Sequence, residues 1–568
     1  MKPSRSFLAA LLVLGILAVW LWLSFRARTN ALDGRIAAEI RTVLHGPRPR
    51  ARPTEAATGA LWEEVRKFYK GRGDRPAWCD GAAVRPEAVQ LLGILGDMDR
   101  GGIEPARYDH RDLDSAATRF RANALQSDPP LVDLARWDVR MTRAFLLASE
   151  DLLDGRIPRS SLDPDWLKEP GHHDPAGLLE DALRHHRVRE TLAGLAPRRP
   201  EYLRLRDALA GYRAILGAGG WPLFRGGDMR QGARGEAVET LRRRLAATGD
   251  LPSADGDLYD RDVERAVRRF QSRHGLDPTG RVDAPTRVAL NVTVERRIRQ
   301  IELNLERWRW LPDTLGEPDV EVNIPDFTLA VHDSGRITMA MRVVVGGLEK
   351  QTPVFSDEIA YLELNPSWRL SKRILVNEIL PQLEMDPDYL NKQHMTVCYF
   401  GGKDTLMVDA SAVDWSRARE EDFKYLVAQE PGPENPLGRI KIMCPNEYDV
   451  YLHDTPARHL FNVRRRALSH GCVRLEQPVE LARYLLGEQM ERDSLDAFIG
   501  LGTWRRVGLK KHVPVHFLYW TAWADSQGVV NFRDDLYGLD RRLDRALRGD
   551  SLATFRVNPP EPDSLRYP

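Results

Sequence analysis

Ser469-His470-Gly471-Cys472-Val473-Arg474 sets a cysteine behind a glycine and a histidine. Nineteen positions before the cysteine, Tyr451-Leu452-His453-Asp454-Thr455-Pro456 supplies a second histidine. A thiol is a useful nucleophile only as the thiolate, and at its free pKa of about 8.5 little of it is ionised near neutrality. An imidazole within reach can take the proton and leave a reactive thiolate–imidazolium pair. Cys472 is therefore the candidate nucleophile and His453 the candidate general base. Gly471 lets the backbone turn sharply, and the Gly471 and Cys472 N–H groups are candidate donors to an oxyanion. Arg474 suits either a substrate carboxylate or a structural ion pair. His470 could position donor or acceptor, or only shape the loop. Tyr451 alternates onto the face of His453, and Trp368 precedes a long insertion, so both are candidates to line a peptide groove or simply to fill core.

The surrounding motifs extend the pattern. Asn365-Pro366-Ser367-Trp368, Ile379-Leu380-Pro381, Asp386-Pro387-Asp388-Tyr389-Leu390, Pro431 to Arg439, Val450 to His453 and Tyr519-Trp520-Thr521-Ala522-Trp523 span roughly residues 295–545. Together with the cysteine motif, this stretch resembles the L,D-transpeptidases, cysteine enzymes that cross-link peptidoglycan and are acylated by carbapenems, in their large membrane-anchored form. The resemblance implies a reaction in two halves. Cys472 attacks the meso-diaminopimelate–D-Ala bond of a tetrapeptide stem and expels D-Ala. A diaminopimelate amine of a second stem then takes the acyl group, forming a 3-3 cross-link. It also implies that the backbone carbonyl of Asp454 holds the second nitrogen of His453. The Asp454 side chain, next in a strand, is expected to point to the other face. No metal and no organic cofactor are implied. Partners are the donor and acceptor stems, with room for other wall-synthesis proteins.

Two other readings fit parts of the pattern. A zinc peptidase could use His453, His470 and Cys472 as ligands, but nothing resembles an H-E-x-x-H helix. A non-catalytic wall scaffold would leave the complete Cys-His pair unexplained.

These residues need elements to hold them, and 568 residues allow about three or four domains. With 83 basic and 82 acidic residues interspersed, nothing calls for nucleic acid. Phe7 to Phe25 is an uncharged run of nineteen, long enough for a membrane-spanning helix, so residues 1–28 are expected to be an uncleaved anchor in the bacterial inner membrane. The catalytic body would then face the periplasm, where its substrate is. Residues 29–57, rich in Arg, Ala and Pro, read as a tether. The expected class is multidomain α+β. Helical periodicity over 58–225 resembles the scaffold segment of the large transpeptidases. Residues 226–292 carry Val238/Leu241/Leu245 and Val263/Val267/Phe270 at helical spacing and resemble a three-helix peptidoglycan-binding module. A linking helix over 293–318 leads into a mostly β catalytic domain over 319–548. Within that domain an insertion of helical character, about 371–430, is a capping element by resemblance. Residues 549–568 read as a flexible tail. Of four cysteines, Cys444 reads as buried core, and a Cys79–Cys398 disulfide is not expected.

Overall fold

The computed structural model describes residues 5–46, 58–123, 130–157, 173–312, 314–400, 405–420 and 423–550. The first helix runs Arg5–His45. Among the described residues no helix is long and apolar enough to cross a membrane, and most side chains of the run 7–25 lie outside them. The tether expected over 29–57 is corrected in its first part. The helix continues to His45 and buries Ile36, Ile40 and Leu44 in the scaffold core. Their i, i+4, i+8 spacing makes an apolar stripe, and that outweighs the local Arg and Ala content. The remainder of the tether, 47–57, and the tail beyond Asp550 lie outside the described residues.

The scaffold is helical. Its central helix, Leu131–Leu153, carries a fully buried Asp138. That carboxylate accepts from the Tyr69 hydroxyl at 2.6 Å and the N–H groups of Ala77 and Trp78 at 2.9 and 2.8 Å. A buried charge survives where donors surround it, and here it pins the Pro76-Ala77-Trp78 turn to the helix.

Three helices, Glu236–Ala247, Arg261–Arg273 and Ala284–Leu290, close the small module around Val238, Leu241, Val263, Val267 and Phe270. Asp260 caps the second, accepting from the Asp262 and Val263 N–H groups.

The helix Val294–Arg309 was expected to be an amphipathic link, yet it is buried around most of its circumference. Trp308 stacks on Trp520 at 4.5 Å, and Asn304 both donates to the Thr521 hydroxyl and accepts its N–H. Its polar face meets other elements rather than water.

The β-rich region after this helix is a nine-stranded sheet. In spatial order its strands are Ala467–Ser469, Arg336–Gly346, Val473–Leu475, Leu452–His453, Ile440–Met443, Phe355–Leu364, Arg505–Leu518, Asp319–Asn323 and Thr328–Asp333. The last pairs again with Arg336–Gly346, so the sheet closes on itself around Val343, Leu362, Ile442, Leu452 and Val515. Closure covers the edges within the ring and leaves Ala467–Ser469, paired only with Arg336–Gly346, outside it.

The insertion is only partly helical, which corrects the expectation. Lys372–Ile374, a π-helical turn Leu375–Ile379, Leu380–Met385 and Tyr389–Lys392 are helical. The rest forms a four-stranded antiparallel sheet: Trp368–Arg369, Tyr425–Gln429, Met395–Phe400 and Thr405–Val408. Alternation in Met395-Thr396-Val397-Cys398-Tyr399-Phe400 favours a strand. Within the insertion, Trp415–Arg419 is a 3-10 turn and Tyr425–Gln429 a strand.

Candidate active site

The strands Leu452–His453 and Val473–Leu475 run parallel, with His453 opposite Arg474 and Leu452 opposite Val473. The Val473 N–H donates to the Tyr451 carbonyl at 3.0 Å. This register carries the start of the Cys472 strand along the strand of Tyr451 and His453. Within it, Tyr451 sets its ring edge-on to His453 at 5.7 Å. His453 is buried, and its Nδ1–H donates to the Asp454 carbonyl at 2.5 Å. That contact selects the tautomer whose Nε2 is a free acceptor. The Asp454 carboxylate turns the other way: it accepts from the Arg439 N–H at 2.9 Å and pairs with Arg458 at 3.5 Å.

Gly471 has φ +120°, a left-handed geometry that favours glycine. Its N–H donates to the Ser469 hydroxyl at 3.2 Å, and that hydroxyl donates to the Cys472 carbonyl at 2.5 Å. The expectation of two free oxyanion donors is thus corrected. Ser469 engages the Gly471 N–H and braces the turn instead. From below, Thr352 accepts the Gly346 N–H at 2.9 Å and donates to the Gly471 carbonyl at 2.7 Å. Gly346 must be glycine, since a Cβ would sit 2.2 Å from the Lys350 carbonyl. Tyr537 donates to the Gly346 carbonyl at 2.6 Å, so one chain of bonds runs from the core to the cysteine loop.

Charge on this face comes from neighbouring strands. Lys441 lies opposite His453 in register, sits 4.2 Å above the Tyr451 ring and pairs with Glu363 at 3.6 Å. Burial lowers His453 to about 3, and the Arg474 and Lys441 cations press the same way against the carbonyl contact. Burial raises the Cys472 thiol, while the Tyr451 N–H and hydroxyl and the Lys441 charge pull it back down. The thiol also donates to the Asp449 carbonyl at 3.6 Å. Both shifts favour the neutral forms of the Cys472 thiol and the His453 imidazole, against the expected thiolate–imidazolium pair. The flanking cations favour a thiolate but oppose an imidazolium.

Residues 317–510 match the family model of the L,D-transpeptidase catalytic domain.

Residues 63–209 match the model described as "Scaffold domain", and residues 234–290 match the one described as "Putative peptidoglycan binding domain". A curated protein of Haemophilus influenzae named "Putative L,D-transpeptidase" is 32% identical over 263 residues, which is 46% of this chain. The match spans about half of that relative, 51% of its length. Two solved structures also align. The L,D-transpeptidase from Xylanimonas cellulosilytica is 14% identical, covering 52% of this chain and 98% of that one, at TM-score 0.19. The L,D-transpeptidase from Stackebrandtia nassauensis is 15% identical, covering 51% and 94%, at TM-score 0.21. At such scores the superpositions add nothing about this chain.

In the transpeptidase-like domain, the remaining predicted residues divide. His470 reaches away from its own loop, its Nε2 pairing with Glu378 of the insertion at 2.6 Å. Glu378 also pairs with Lys350 at 3.4 Å. Arg474 is half-buried opposite His453, and its Nε has no hydrogen-bond partner among the described residues. Trp368, offered as groove wall or as core, packs partly buried against the insertion's own apolar cluster of Leu370, Leu390 and Val427. Cys444 is buried, its thiol pushed up to about 12 by desolvation, and Cys79 and Cys398 are free. Lys441, Ser469, Thr352 and Glu378 were missed by sequence reasoning. Lys441 alone had a signal, a cation inside the apolar strand Ile440–Met443.

Proposed function

We propose that this chain is a peptidoglycan L,D-transpeptidase with Cys472 as nucleophile and His453 as base. The observation that carries this reading is the buried His453, held through Nδ1 by the Asp454 carbonyl on the strand paired with that of Cys472. His453 Nε2 takes the thiol proton as sulfur bonds to the carbonyl carbon between meso-diaminopimelate and D-Ala. The tetrahedral oxyanion accepts a hydrogen bond from the Cys472 N–H. When the C–N bond breaks, the same imidazole returns the proton to the departing D-Ala amine, leaving a thioester. A diaminopimelate side-chain amine of a second stem then attacks, gives up a proton to His453, and releases the thiol as the 3-3 amide forms. No nucleotide is consumed, because the thioester conserves the acyl bond. Arg474, half-buried opposite His453, is suited to a stem carboxylate, and Tyr451 to the wall of the groove.

A neutral resting pair suits this sequence. A base that is unprotonated at neutral pH can accept the proton as sulfur attacks, and the Lys441 and Arg474 charges lower the cost of the developing thiolate. The match of 234–290 to a peptidoglycan-binding model supports the polymer as the ligand of the neighbouring module. Membrane attachment through the uncharged run 7–25, with the body in the periplasm, belongs to the same proposal. Alkaline carbonate extraction of membranes tests it, since an anchored chain stays with the pellet.

The deciding experiment incubates purified protein with disaccharide-tetrapeptide and follows products by mass spectrometry, beside Cys472→Ala. Dimers lacking one D-Ala, absent with the variant, are expected. Tripeptide alone would mean hydrolysis, and product from the variant would sink the nucleophile assignment. A carbapenem should add its mass once to the native chain and not to Cys472→Ala.

A further inference from the structure

On strands that carry none of the cysteine motif, Asp319–Asn323 and Thr328–Asp333 bring three metal-ligating side chains to one face of the closed sheet. Asp319 and Glu321 are two apart on one strand, so they share a face. His332 lies directly opposite Asp319 in the antiparallel register. The ladder to Arg336–Gly346 shifts between Val331 and His332, an irregularity that re-aims the imidazole. One ligand atom from each of the three lies within 4.8 Å of the others.

A second feature, separate from the clustering, points to a ligand. Asp319 is only 3% exposed, and its Oδ1 is buried with no hydrogen-bond partner among the described residues. Buried carboxylate oxygens are ordinarily satisfied. The nearby cation does not supply the need: Arg199 donates to Glu321 at 3.3 Å and pairs with Glu201 at 3.5 Å, not with Asp319. His332 approaches Glu321 at 3.6 Å.

We propose that Asp319, Glu321 and His332 form a binding site for a divalent transition-metal ion, with Zn²⁺ the best fit. Two carboxylates and one imidazole suit zinc, whose bonds to oxygen and nitrogen are about 2.0–2.2 Å, so a small inward movement of the three side chains completes the contacts. Ca²⁺ and Mg²⁺ favour all-oxygen shells, which the imidazole disfavours. His332, partly exposed, leaves an open side for a fourth ligand from solvent. The site is structural rather than part of the thiol chemistry. Arg199, bound to Glu321, is the cap residue of the scaffold helix Pro200–Gly217, so an ion here stiffens the seam between scaffold and sheet.

The test uses the full chain carrying Cys472→Ala, so that the cysteine loop cannot hold metal. After chelator treatment and dialysis, Zn²⁺ is titrated calorimetrically, and the metal content is counted after gel filtration. One Zn²⁺ per chain is expected, with affinity at least about 10-fold weaker in Asp319→Asn and His332→Gln. A readout independent of those variants is modification by diethyl pyrocarbonate: peptide mapping should find His332 shielded when Zn²⁺ is present. No Zn²⁺ bound by the Cys472→Ala chain overturns the site. So does unchanged affinity in both further variants, or equal modification of His332 with and without the ion.

Discussion

His453 is a histidine that resists charge. Burial first, then Arg474 and Lys441, hold it near 3, against about 6.5 when unfolded. Between those values the unfolded chain binds a proton that the native site refuses. Stability from this residue is therefore complete above pH 6.5 and declines as pH falls towards 3. His453→Gln should flatten the acid side of a stability–pH curve from chemical denaturation, while lowering thioester formation by about 10²–10⁴-fold. A steeper acid limb in the variant would contradict the burial argument. Lys441 works on the same pair from the neighbouring strand. Lys441→Met removes a charge that favours the thiolate, so the pH midpoint for alkylation of Cys472 by iodoacetamide should move upward. Cys472 and His453, the proposed nucleophile and base, stood out in the sequence because their residue types and motif suit that chemistry. Lys441 was not, because its effect depends on standing opposite His453, and cross-strand register cannot be read from the chain. Engagement of the Gly471 N–H by Ser469 escaped for the same reason: a hydroxyl two residues away has many conformations open to it.

Between residue and domain, the cysteine turn is held by bonds that cross from other elements. Thr352 spends its hydroxyl on both the Gly346 N–H and the Gly471 carbonyl. Thr352→Val keeps the shape and leaves two buried backbone groups unpaired, at a cost of about 1–3 kcal/mol. A lowered thermal midpoint together with slower carbapenem acylation is expected. Loss of stability with unchanged acylation would mean that the bond does not order the turn. Above the turn, Glu378 receives both His470 and Lys350, joining the insertion to the cysteine loop. The mostly β character of the domain was visible from alternation and β-branched residues, but the strands Ala467–Ser469, Val473–Leu475 and Arg505–Leu518 were not singled out. The insertion's sheet was not, because its strands are short and separated by turns, and the helices beside them set the expected character of the segment.

At the scale of the whole chain, the helix Val294–Arg309 joins scaffold, small module and sheet. Its apolar positions Ile298, Ile301, Leu305 and Trp308 marked it as an amphipathic link, yet the charged Arg297, Glu306, Arg307 and Arg309 are buried too. Arg307 pairs with Asp540 at 2.6 Å, and Glu306, fully buried, pairs with Arg309 at 2.7 Å and with Arg156 at 3.0 Å. Desolvation opposes the Glu306 carboxylate, but Arg156 and Arg309 outweigh it and leave its pKa lowered. Its contribution is thus present above about pH 4.5 and is lost as pH falls through the depressed folded value. Glu306→Gln keeps the volume and removes the charge, leaving two guanidinium groups buried without a counter-ion. Breaking a buried pair in this way costs about 3–5 kcal/mol, far more than a surface pair would. The loss should appear in urea unfolding at pH 7 and shrink as the pH falls through the depressed folded value of the carboxylate. Because Arg156 belongs to the scaffold and Arg309 to the joining helix, limited proteolysis of the variant should cut first between residues 157 and 294, releasing the transpeptidase-like domain. If the variant instead unfolds in a single step at the native midpoint, the helix is a spacer after all, and the three units owe their arrangement to apolar contacts such as Trp308 on Trp520.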